Sequence, residues 1–303
     1  MNKELLVIDQ IYKYEIDQIL EGGMGRVLLM TRLSAPNKSS LESAIYDRPK
    51  VQDRFRIPYR EKLAAKTVRE DELMRDFERE CIIWLGLDEN GIVPLLKVVK
   101  INGKIFALMP RYSKSLRDLL ESRNTSSKDI IKLLYNPILG LANIYSSKGL
   151  VHQDIKPENF LCDEQEGEIK LFLSDWGIAN VQANLLLKTS FESKRFTFQT
   201  MAGFGTLPYM APERFINYYS SIGADIFSLG LVFLEILTGN LPYDSKEAIE
   251  DQIISGKYYF IAKNMLSKYN DKNIVNTILL MIHPLAEKRM QNYSELLKFI
   301  KSV

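Results

Sequence analysis

A segment near the middle of the chain combines an acid, a cation and an amide at short spacing. Asp154 can accept a proton from a hydroxyl, Lys156 can neutralise charge on a phosphoryl group, and Asn159 can give an amide oxygen to a metal. Sixteen residues after Asn159 (175 − 159), Asp175 offers a carboxylate to the same metal. Each residue alone is ordinarily a turn former, a helix cap or a solvated charge. The combination predicts transfer of a phosphoryl group to a hydroxyl.

These motifs resemble those of the protein kinase superfamily. Residues 151–159 are similar to its catalytic loop, and residues 175–177, Asp-Trp-Gly, are similar to its Asp-Phe-Gly metal motif. Lys156 followed by Pro-Glu-Asn resembles serine/threonine kinases and differs from the tyrosine branch. Residues 205–213 resemble the Gly-Thr-x-x-Tyr-Met-Ala-Pro-Glu platform of serine/threonine kinases, which small-molecule phosphotransferases generally lack. The resemblance runs from about Tyr14 to the C-terminus.

The resemblance implies a protein serine/threonine kinase that transfers the γ-phosphoryl group of ATP to serine and threonine hydroxyls of proteins, including its own. ATP and Mg²⁺, with Mn²⁺ as a substitute, are the expected cofactors. The loop and platform are most similar to those of bacterial eukaryotic-like kinases. Two alternatives stay open: a pseudokinase scaffold that binds nucleotide or a partner without transfer, and a small-molecule phosphotransferase. The presence of Lys66, Asp154, Asn159 and Asp175 argues against the pseudokinase.

The organisation of the chain predicts an α+β protein of two lobes. Short apolar strands and turns alternate in the first third, and helical periodicity dominates the rest. The implied kinase fold is a single domain over residues 1–303, with a β-rich N-lobe of about residues 1–109, a hinge of about residues 110–115, an α-helical C-lobe of about residues 116–303 and an ATP cleft between the lobes. Ser126 is predicted to cap a helix that ends at Gly149, with a local kink at Pro137.

A glycine-rich turn lies near the start of the chain, at residues 20–27. By itself it is an ordinary hairpin turn. The kinase resemblance implies instead that Gly22 and Gly25 let backbone N–H groups approach the phosphates of ATP. Leu20 stands where the family has its first glycine. The nucleotide-binding residues predicted from this turn are Leu20, Gly22, Gly23, Met24, Gly25 and Val27.

Lys66 resembles the third-strand lysine of kinases, which reaches the α- and β-phosphates. Without the resemblance it reads as a surface lysine. In the family a helical glutamate orients this lysine, and the chain offers Glu78 and Glu80, of which Glu80 is predicted. The predicted catalytic residues are Asp154, Lys156, Lys66 and Glu80, and the predicted metal ligands are Asn159 and Asp175.

The adenine site is predicted around residues 106–112. Met109 is the expected gatekeeper, the Pro110 carbonyl can accept from the adenine amino group, and the Tyr112 N–H can donate to a ring nitrogen. Apolar residues are expected to close the pocket. These are Leu20, Val27 and Ala64 from above and Leu161 from below.

Other residues bear on regulation and architecture. Gln153 replaces the arginine that pairs with an activation-segment phosphate in many kinases, which predicts weak dependence on such phosphorylation. Asp225 is expected to anchor the catalytic loop. Arg289 is expected to pair with Glu213. The resemblance also places Trp84 and Trp176 in one stack with Leu95 and His152, and the two indoles are predicted to touch.

Composition gives little reason to expect partners beyond nucleotide and protein. With 40 basic and 38 acidic residues, the net charge of +2 favours neither nucleic acid nor an anionic membrane. Cys81 and Cys162 lie in apolar segments and are predicted to be buried free thiols. Residues 1–10 lack a signal-peptide pattern, and no apolar run is long enough to cross a membrane, so a cytoplasmic location is expected.

An insertion separates Gly25 from Lys66, which lie 41 positions apart (66 − 25), although two paired strands need only a short turn. Residues 34–60 are therefore extra. They carry more basic than acidic side chains and read either as a solvated loop or as a docking surface for an acidic partner.

Overall fold

The computed structural model describes residues 5–8, 12–21, 25–33, 46–47, 62–69, 71–176, 207–216 and 221–303. The chain forms two compact units. Unit 1 comprises residues 1–88 and 93–113, and unit 2 comprises residues 89–92 and 114–303. Unit 1 is built on a β-sheet and unit 2 mainly on helices, which confirms the predicted α+β class with a β-rich N-lobe and an α-helical C-lobe.

Within its described residues, unit 1 contains an antiparallel sheet of seven strands in the order β1-β2-β3-β5-β7-β6-β4. Aliphatic and aromatic residues from five of these strands form one core cluster: Tyr14, Leu28, Met30, Leu63, Ala65, Val99, Phe106 and Leu108. The strands are β1 (Leu5–Ile8), β2 (Tyr12–Glu21), β3 (Gly25–Arg32), β4 (Tyr46–Asp47), β5 (Lys62–Val68), β6 (Lys97–Ile101) and β7 (Lys104–Pro110).

Strand β4 is the part of the predicted insertion that the structure describes. It pairs with β6 at the edge of the sheet, with Tyr46 opposite Val98. The other residues of the 34–60 insertion lie outside the described residues, and so do Gly22, Gly23 and Met24.

Helix α1 (Met74–Leu85) packs one face into unit 1. Phe77, Cys81 and Trp84 recur every three or four residues and are buried, so they form one apolar stripe. Glu80 belongs to the same buried face. The Trp84 indole N–H donates to the Val93 carbonyl at 2.7 Å, which satisfies the polar atom of a fully buried ring.

Unit 2 begins with a small antiparallel sheet of β8 (Lys114–Ser115), β9 (Phe160–Gln165) and β10 (Glu168–Leu173), in the order β10-β9-β8. The helices that the structure describes in this unit are α2 (Leu116–Ser122), α3 (Ser127–Leu133), α4 (Tyr135–Lys148), α5 (Pro212–Ile216), α6 (Ile222–Thr238), α7 (Ile249–Ile254), α8 (Lys257–Leu266), α9 (Lys272–Met281) and α10 (Tyr293–Ser302).

Helix α6 is the central helix of unit 2. Its side chains are buried around most of its circumference, as expected for a core helix. The Ser221 side chain caps its start and Gly239, at φ 75°, ends it. A Cβ at Gly230 would lie 2.7 Å from the Met281 Cβ, so glycine is what allows the end of α9 to approach the α6 backbone.

The predicted helix from Ser126 to Gly149 is present as two helices. Its start and end are as expected, because the Ser126 side chain accepts from the Asp129 N–H and Gly149 adopts the left-handed conformation. The helix is interrupted at Leu134, and Pro137 lies in the first turn of α4. Proline has no N–H to donate to the preceding turn, so the break falls one turn earlier than the predicted kink.

Both cysteines are free and buried, as predicted. Burial raises the pKa of the Cys81 thiol, and the nearby Glu80 carboxylate raises it further. Among the helices that the structure describes, none combines the length and the apolar character that a membrane crossing requires.

Candidate active site

The catalytic-loop residues of unit 2 converge within six positions of the chain. The Lys156 ammonium lies 3.0 Å from Asp154 Oδ2. The amide nitrogen of Asn159 donates to the same Asp154 oxygen at 3.0 Å and to the Asp154 backbone carbonyl at 2.7 Å. A 3₁₀ turn, Pro157–Asn159, bends the chain so that the Asn159 side chain reaches back to Asp154. The arrangement presents a carboxylate, a cation and an amide in one place.

The electrostatics of Asp154 keep it ionised. Burial is the largest single influence and would raise the pKa of this carboxyl group, but the charge and hydrogen bond of Lys156 act in the opposite direction together with other neighbouring groups. The hydrogen bond from the Asn159 amide adds to the lowering, and the pKa of Asp154 lies below its ordinary value. A carboxylate in this state can accept a hydrogen bond from an incoming hydroxyl.

Ser174, the residue directly before Asp175, connects the segment of Asp175 to Asn159. Ser174 donates to the Asn159 carbonyl twice, from its N–H at 2.8 Å and from its hydroxyl at 3.0 Å. Asp175 follows directly and adopts φ 63°, a left-handed conformation that aspartate tolerates better than most residues. Because the Asn159 nitrogen is engaged with Asp154, its oxygen is the atom left to offer a metal.

Asp225 of α6 anchors the catalytic loop, as predicted. Its two carboxylate oxygens accept the backbone N–H groups of His152 and Gln153 at 2.7 and 2.8 Å, and the Tyr293 hydroxyl donates at 3.0 Å. Gln153 is held at φ 72°, a strained conformation for a residue with a long side chain. Burial raises the pKa of Asp225, and the three donors counteract that shift by stabilising the carboxylate.

His152 lies under the loop in a neutral state. Burial lowers its pKa, and Nε2 donates to the Ser174 carbonyl at 2.8 Å while Nδ1 accepts the Asp154 N–H at 3.3 Å. Its ring meets the Trp176 ring edge to face, with centroids 4.9 Å apart. Trp84 belongs to unit 1, and its predicted contact with Trp176 stays a prediction.

In unit 1, Lys66 and Glu80 form a buried pair. Lys66 Nζ lies 3.5 Å from Glu80 Oε1, and the two side chains are 6% and 2% exposed. Glu78, the other candidate in the sequence, is only partly buried on α1. A buried cation of this kind is stable only with an opposite charge beside it.

The other predicted nucleotide-binding residues that the structure describes in unit 1 lie on or near neighbouring strands. Ala64 is directly opposite Met109 in the β5–β7 pair, and Val27 faces Leu20 on one side and Lys66 on the other. Leu20 is exposed, at 43% of its surface. A Cβ at Gly25 would lie 3.2 Å from the Thr67 carbonyl, so this glycine sits close against β5. Leu161 lies in β9 of unit 2 and is half-buried.

Arg117 is a residue of unit 2 that the sequence reasoning missed. Its guanidinium donates to Glu158 at 2.8 Å, to Glu235 at 2.6 Å and to the Tyr209 hydroxyl at 2.7 Å. It therefore joins α2, the catalytic-loop turn, the segment before residue 210 and α6. These partners are 41 to 118 positions away, so no local signal in the sequence reveals the cluster.

Arg214 is a second residue that the sequence did not single out. It follows Glu213 and donates from Nη1 to the Gln153 carbonyl. Burial lowers its pKa, and Asp154, Asp225 and Glu213 oppose that effect. A cation from α5 thus reaches the part of the loop where Gln153 replaces the arginine of many kinases. Three cations between Asp175 and Glu213, namely Lys188, Lys194 and Arg195, lie outside the described residues.

Residues 50–302 match the family described as the protein kinase domain. The chain belongs to this family. The match begins after the glycine-rich turn and includes both the catalytic loop and the metal motif.

The chain is also similar to curated kinases from animals and bacteria. It is 25% identical to sperm motility kinase 2B of Mus musculus over 73% of its length, and 28% identical to ribosomal protein S6 kinase 2 beta of Xenopus laevis over 80%. It is 30% identical over 61% of its length to serine/threonine-protein kinase PknD of Chlamydia pneumoniae. The chain covers 46%, 34% and 22% of these relatives, less than half of each.

Proposed function

We propose that the chain is a protein serine/threonine kinase, which transfers the γ-phosphoryl group of ATP to serine and threonine hydroxyls of protein substrates and of itself. The observation that carries this proposal is the arrangement of Asp154, Lys156 and Asn159 on a loop anchored by Asp225. Membership of the protein kinase domain family and similarity to curated serine/threonine kinases support it.

In this function Asp154 accepts the proton of the attacking hydroxyl. Its depressed pKa means that it is ionised at neutral pH and is a weak base, which suits a transfer in which the proton leaves late. Lys156 lies beside the same carboxylate and neutralises charge on the transferring phosphoryl group.

Asn159 and Asp175 fit a divalent metal. Their donors are an amide oxygen and a carboxylate, which are the oxygen ligands that Mg²⁺ and Mn²⁺ accept, with substrate phosphates and water completing the shell. The Ser174 bonds to the Asn159 carbonyl hold the two segments together. The metal, when bound, neutralises the phosphate charge of ATP.

Lys66, oriented by Glu80, is the proposed contact for the α- and β-phosphates. The Pro110 carbonyl and the Tyr112 N–H are the proposed contacts for adenine, with Ala64 and Met109 side by side on adjacent strands next to them. Leu20, Val27 and Leu161 are the proposed apolar contacts, and Gly25 belongs to the proposed phosphate loop.

The test is incubation of the purified chain with radiolabelled ATP, Mg²⁺ and generic protein acceptors, followed by phosphoamino-acid analysis. We expect labelled phosphoserine and phosphothreonine in the acceptors and in the chain itself, and no label with Asp154→Asn. Nucleotide binding without transfer to any acceptor would instead favour a pseudokinase scaffold. Phosphotyrosine as the main product would overturn the assigned acceptor class.

A further inference from the structure

Strand β2 carries an irregularity beside the hinge. Ile16 pairs with Met30 of β3 and Gln18 pairs with Leu29, so Asp17 has no opposite residue in the register. A residue inserted in this way bends its strand and redirects its side chain. The bulge therefore decides where the Asp17 carboxylate points.

At this bulge the Asp17 carboxylate accepts hydrogen bonds from Thr31 and Arg111. The Thr31 hydroxyl of β3 donates to Oδ2 at 2.7 Å, and Arg111 Nη1 donates to the same oxygen. The Asp17 and Arg111 side chains are only 29% and 22% exposed, so water screens this pair less than it screens a surface pair. Arg111 lies 94 positions from Asp17 and follows directly after β7.

Arg111 occupies a special place in the backbone of the hinge. The Pro110 carbonyl belongs to the peptide group before the Arg111 Cα, and the Tyr112 N–H belongs to the peptide group after it. The φ and ψ angles of Arg111 alone therefore set the angle between these two polar groups. Pro110 is itself fixed, because it pairs with Leu63 in the β5–β7 ladder.

We propose that Arg111, held by Asp17, is a positioning residue for adenine recognition. The inference rests on the proposed function, since it uses the Pro110 carbonyl and the Tyr112 N–H as the adenine contacts. The ion pair ties the side chain of the one residue between these contacts to the bulge of β2. It holds the acceptor and the donor at the angle that the adenine amino group and ring nitrogen require.

The structure favours this role over one in general stability. The ion pair holds a segment that leaves the sheet, where the β7 ladder no longer fixes the backbone. Arg79–Asp76 on α1 is an Arg–Asp pair of the same unit, at 3.6 Å, that lies within a single helix and fixes no such segment. It supplies a matched control.

The test measures binding of ADP and GDP to the parent chain and to Asp17→Ala, Arg111→Ala, Arg111→Lys and Arg79→Ala. Guanine presents an acceptor and a donor where adenine presents a donor and an acceptor, so it cannot use the hinge pair in the same way. Without the ion pair, part of the Arg111 backbone is free and must be ordered again when the nucleotide binds. We therefore expect the Kd for ADP to rise about fivefold in Asp17→Ala and Arg111→Ala. The Kd for GDP, measured by competition against a fluorescent ADP, should change less than about twofold.

Further readouts separate positioning from folding. Arg111→Lys should bind ADP nearly as tightly as the parent, because a single N–H donor makes the contact with Asp17. Arg79→Ala should be unchanged. The double variant Asp17→Ala/Arg111→Ala should lose no more than either single variant. In transfer assays the KM for ATP should rise while kcat stays within about twofold, because Asp17 and Arg111 are not among the proposed catalytic residues.

The outcomes distinguish the inference from the proposed function. If the parent binds ADP and both alanine variants bind it equally tightly, the positioning role is overturned and the proposed function stands. If ADP and GDP affinities fall together, the pair supports the fold and the role in adenine recognition is overturned. If the parent binds neither ATP nor ADP, the proposed function fails and the inference fails with it.

Discussion

The reactive atoms of the catalytic loop are oriented by bonds that other atoms of the same side chains make. The Asn159 nitrogen is engaged with Asp154, which turns its oxygen toward the proposed metal. His152 donates from Nε2 to Ser174, which fixes the tautomer that accepts the Asp154 N–H. Each orientation depends on one neighbouring group, so single substitutions at this scale have sharp expected effects.

Asp154→Asn is expected to remove most phosphoryl transfer while leaving ADP affinity unchanged. The carboxylate acts on the acceptor hydroxyl, and a positioned general base contributes about 10²- to 10⁴-fold to the rate. Initial rates and ADP titration measure the two effects. Asp163→Asn on β9 is the control, because it removes a carboxylate of the same unit outside the loop. Transfer at the parent rate would show that Asp154 is not the base.

Glu80→Gln is expected to lower kcat/KM for ATP by about tenfold or more, because removing one partner of a buried ion pair leaves the other charge uncompensated. The physical reason is loss of the carboxylate 3.5 Å from Lys66. Glu78→Gln is the matched control two positions earlier and should leave the rate unchanged. A larger loss in Glu78→Gln would reassign the partner of Lys66.

At the scale of elements, α6 holds the catalytic loop from below. Asp225 accepts two consecutive backbone N–H groups of the loop, and the Tyr209 hydroxyl donates to Glu235 near the other end of the helix at 2.6 Å. Because α6 is buried on almost all sides, its polar side chains are held in place, and they fix the position of the loop that they contact. The strained φ of Gln153 is maintained by this anchor.

Asp225→Asn is expected to destabilise the chain and to slow transfer. An amide has one acceptor oxygen, so one of the His152 and Gln153 N–H groups is left unpaired in the interior, at a cost of about 1–3 kcal/mol. Urea unfolding gives the free energy of unfolding, and transfer assays give the rate. Asp251→Asn, an exposed carboxylate on α7, is the control. A rate unchanged by the substitution would contradict the anchoring role.

Phosphatase treatment is expected to lower transfer activity only modestly. Gln153 provides no cation for an activation-segment phosphate, and the nearby Arg214 is engaged with the Gln153 carbonyl. Activity of treated chain is compared with that of chain incubated with inactivated phosphatase. A large loss that autophosphorylation restores at a site between residues 189 and 206 would refute the prediction and would indicate a replacement cation.

At the scale of the whole molecule, one buried ion pair connects segments of unit 2 that are far apart in the sequence. Arg289 donates to both oxygens of Glu213 at 2.7 and 2.8 Å, across 76 positions of the chain. It also donates to the carbonyl oxygens of His283 and Gly223, and its guanidinium stacks on Phe227 at 4.8 Å. The pair connects α5, the start of α6 and the segment before α10.

Glu213→Gln is expected to lower the free energy of unfolding by about 3–5 kcal/mol, because removing one partner of a buried ion pair leaves the other charge uncompensated. Urea denaturation measures the change. The control is Lys128→Gln, which breaks the exposed Lys128–Asp271 pair of the same unit and should change stability little. An equal loss in both variants would show that burial of Arg289 is not what makes its pair important.

The sequence by itself determined the fold class, the protein kinase family and the short-range part of the site. Asp154, Lys156 and Asn159 lie within six positions, so a tight turn suffices to bring them together. Ser126 and Gly149 marked helix ends because their effects are local. The sequence predicted a kink at Pro137, one turn later than the interruption at Leu134, because the missing N–H of Pro137 affects the preceding turn.

The kinase resemblance implied the Arg289–Glu213 pair, but only the tertiary structure decided the long-range pairs outside the family's motifs. Arg117 finds partners 41, 92 and 118 positions away, Arg214 reaches back to Gln153, and Arg111 meets Asp17 across 94 positions. No periodicity or motif marks these three arginines, because their contacts depend on how strands register and how helices pack. A one-residue bulge in β2 directs Asp17 toward Arg111. Sequence patterns do not reveal this bulge, because both strands keep an ordinary composition on either side of it.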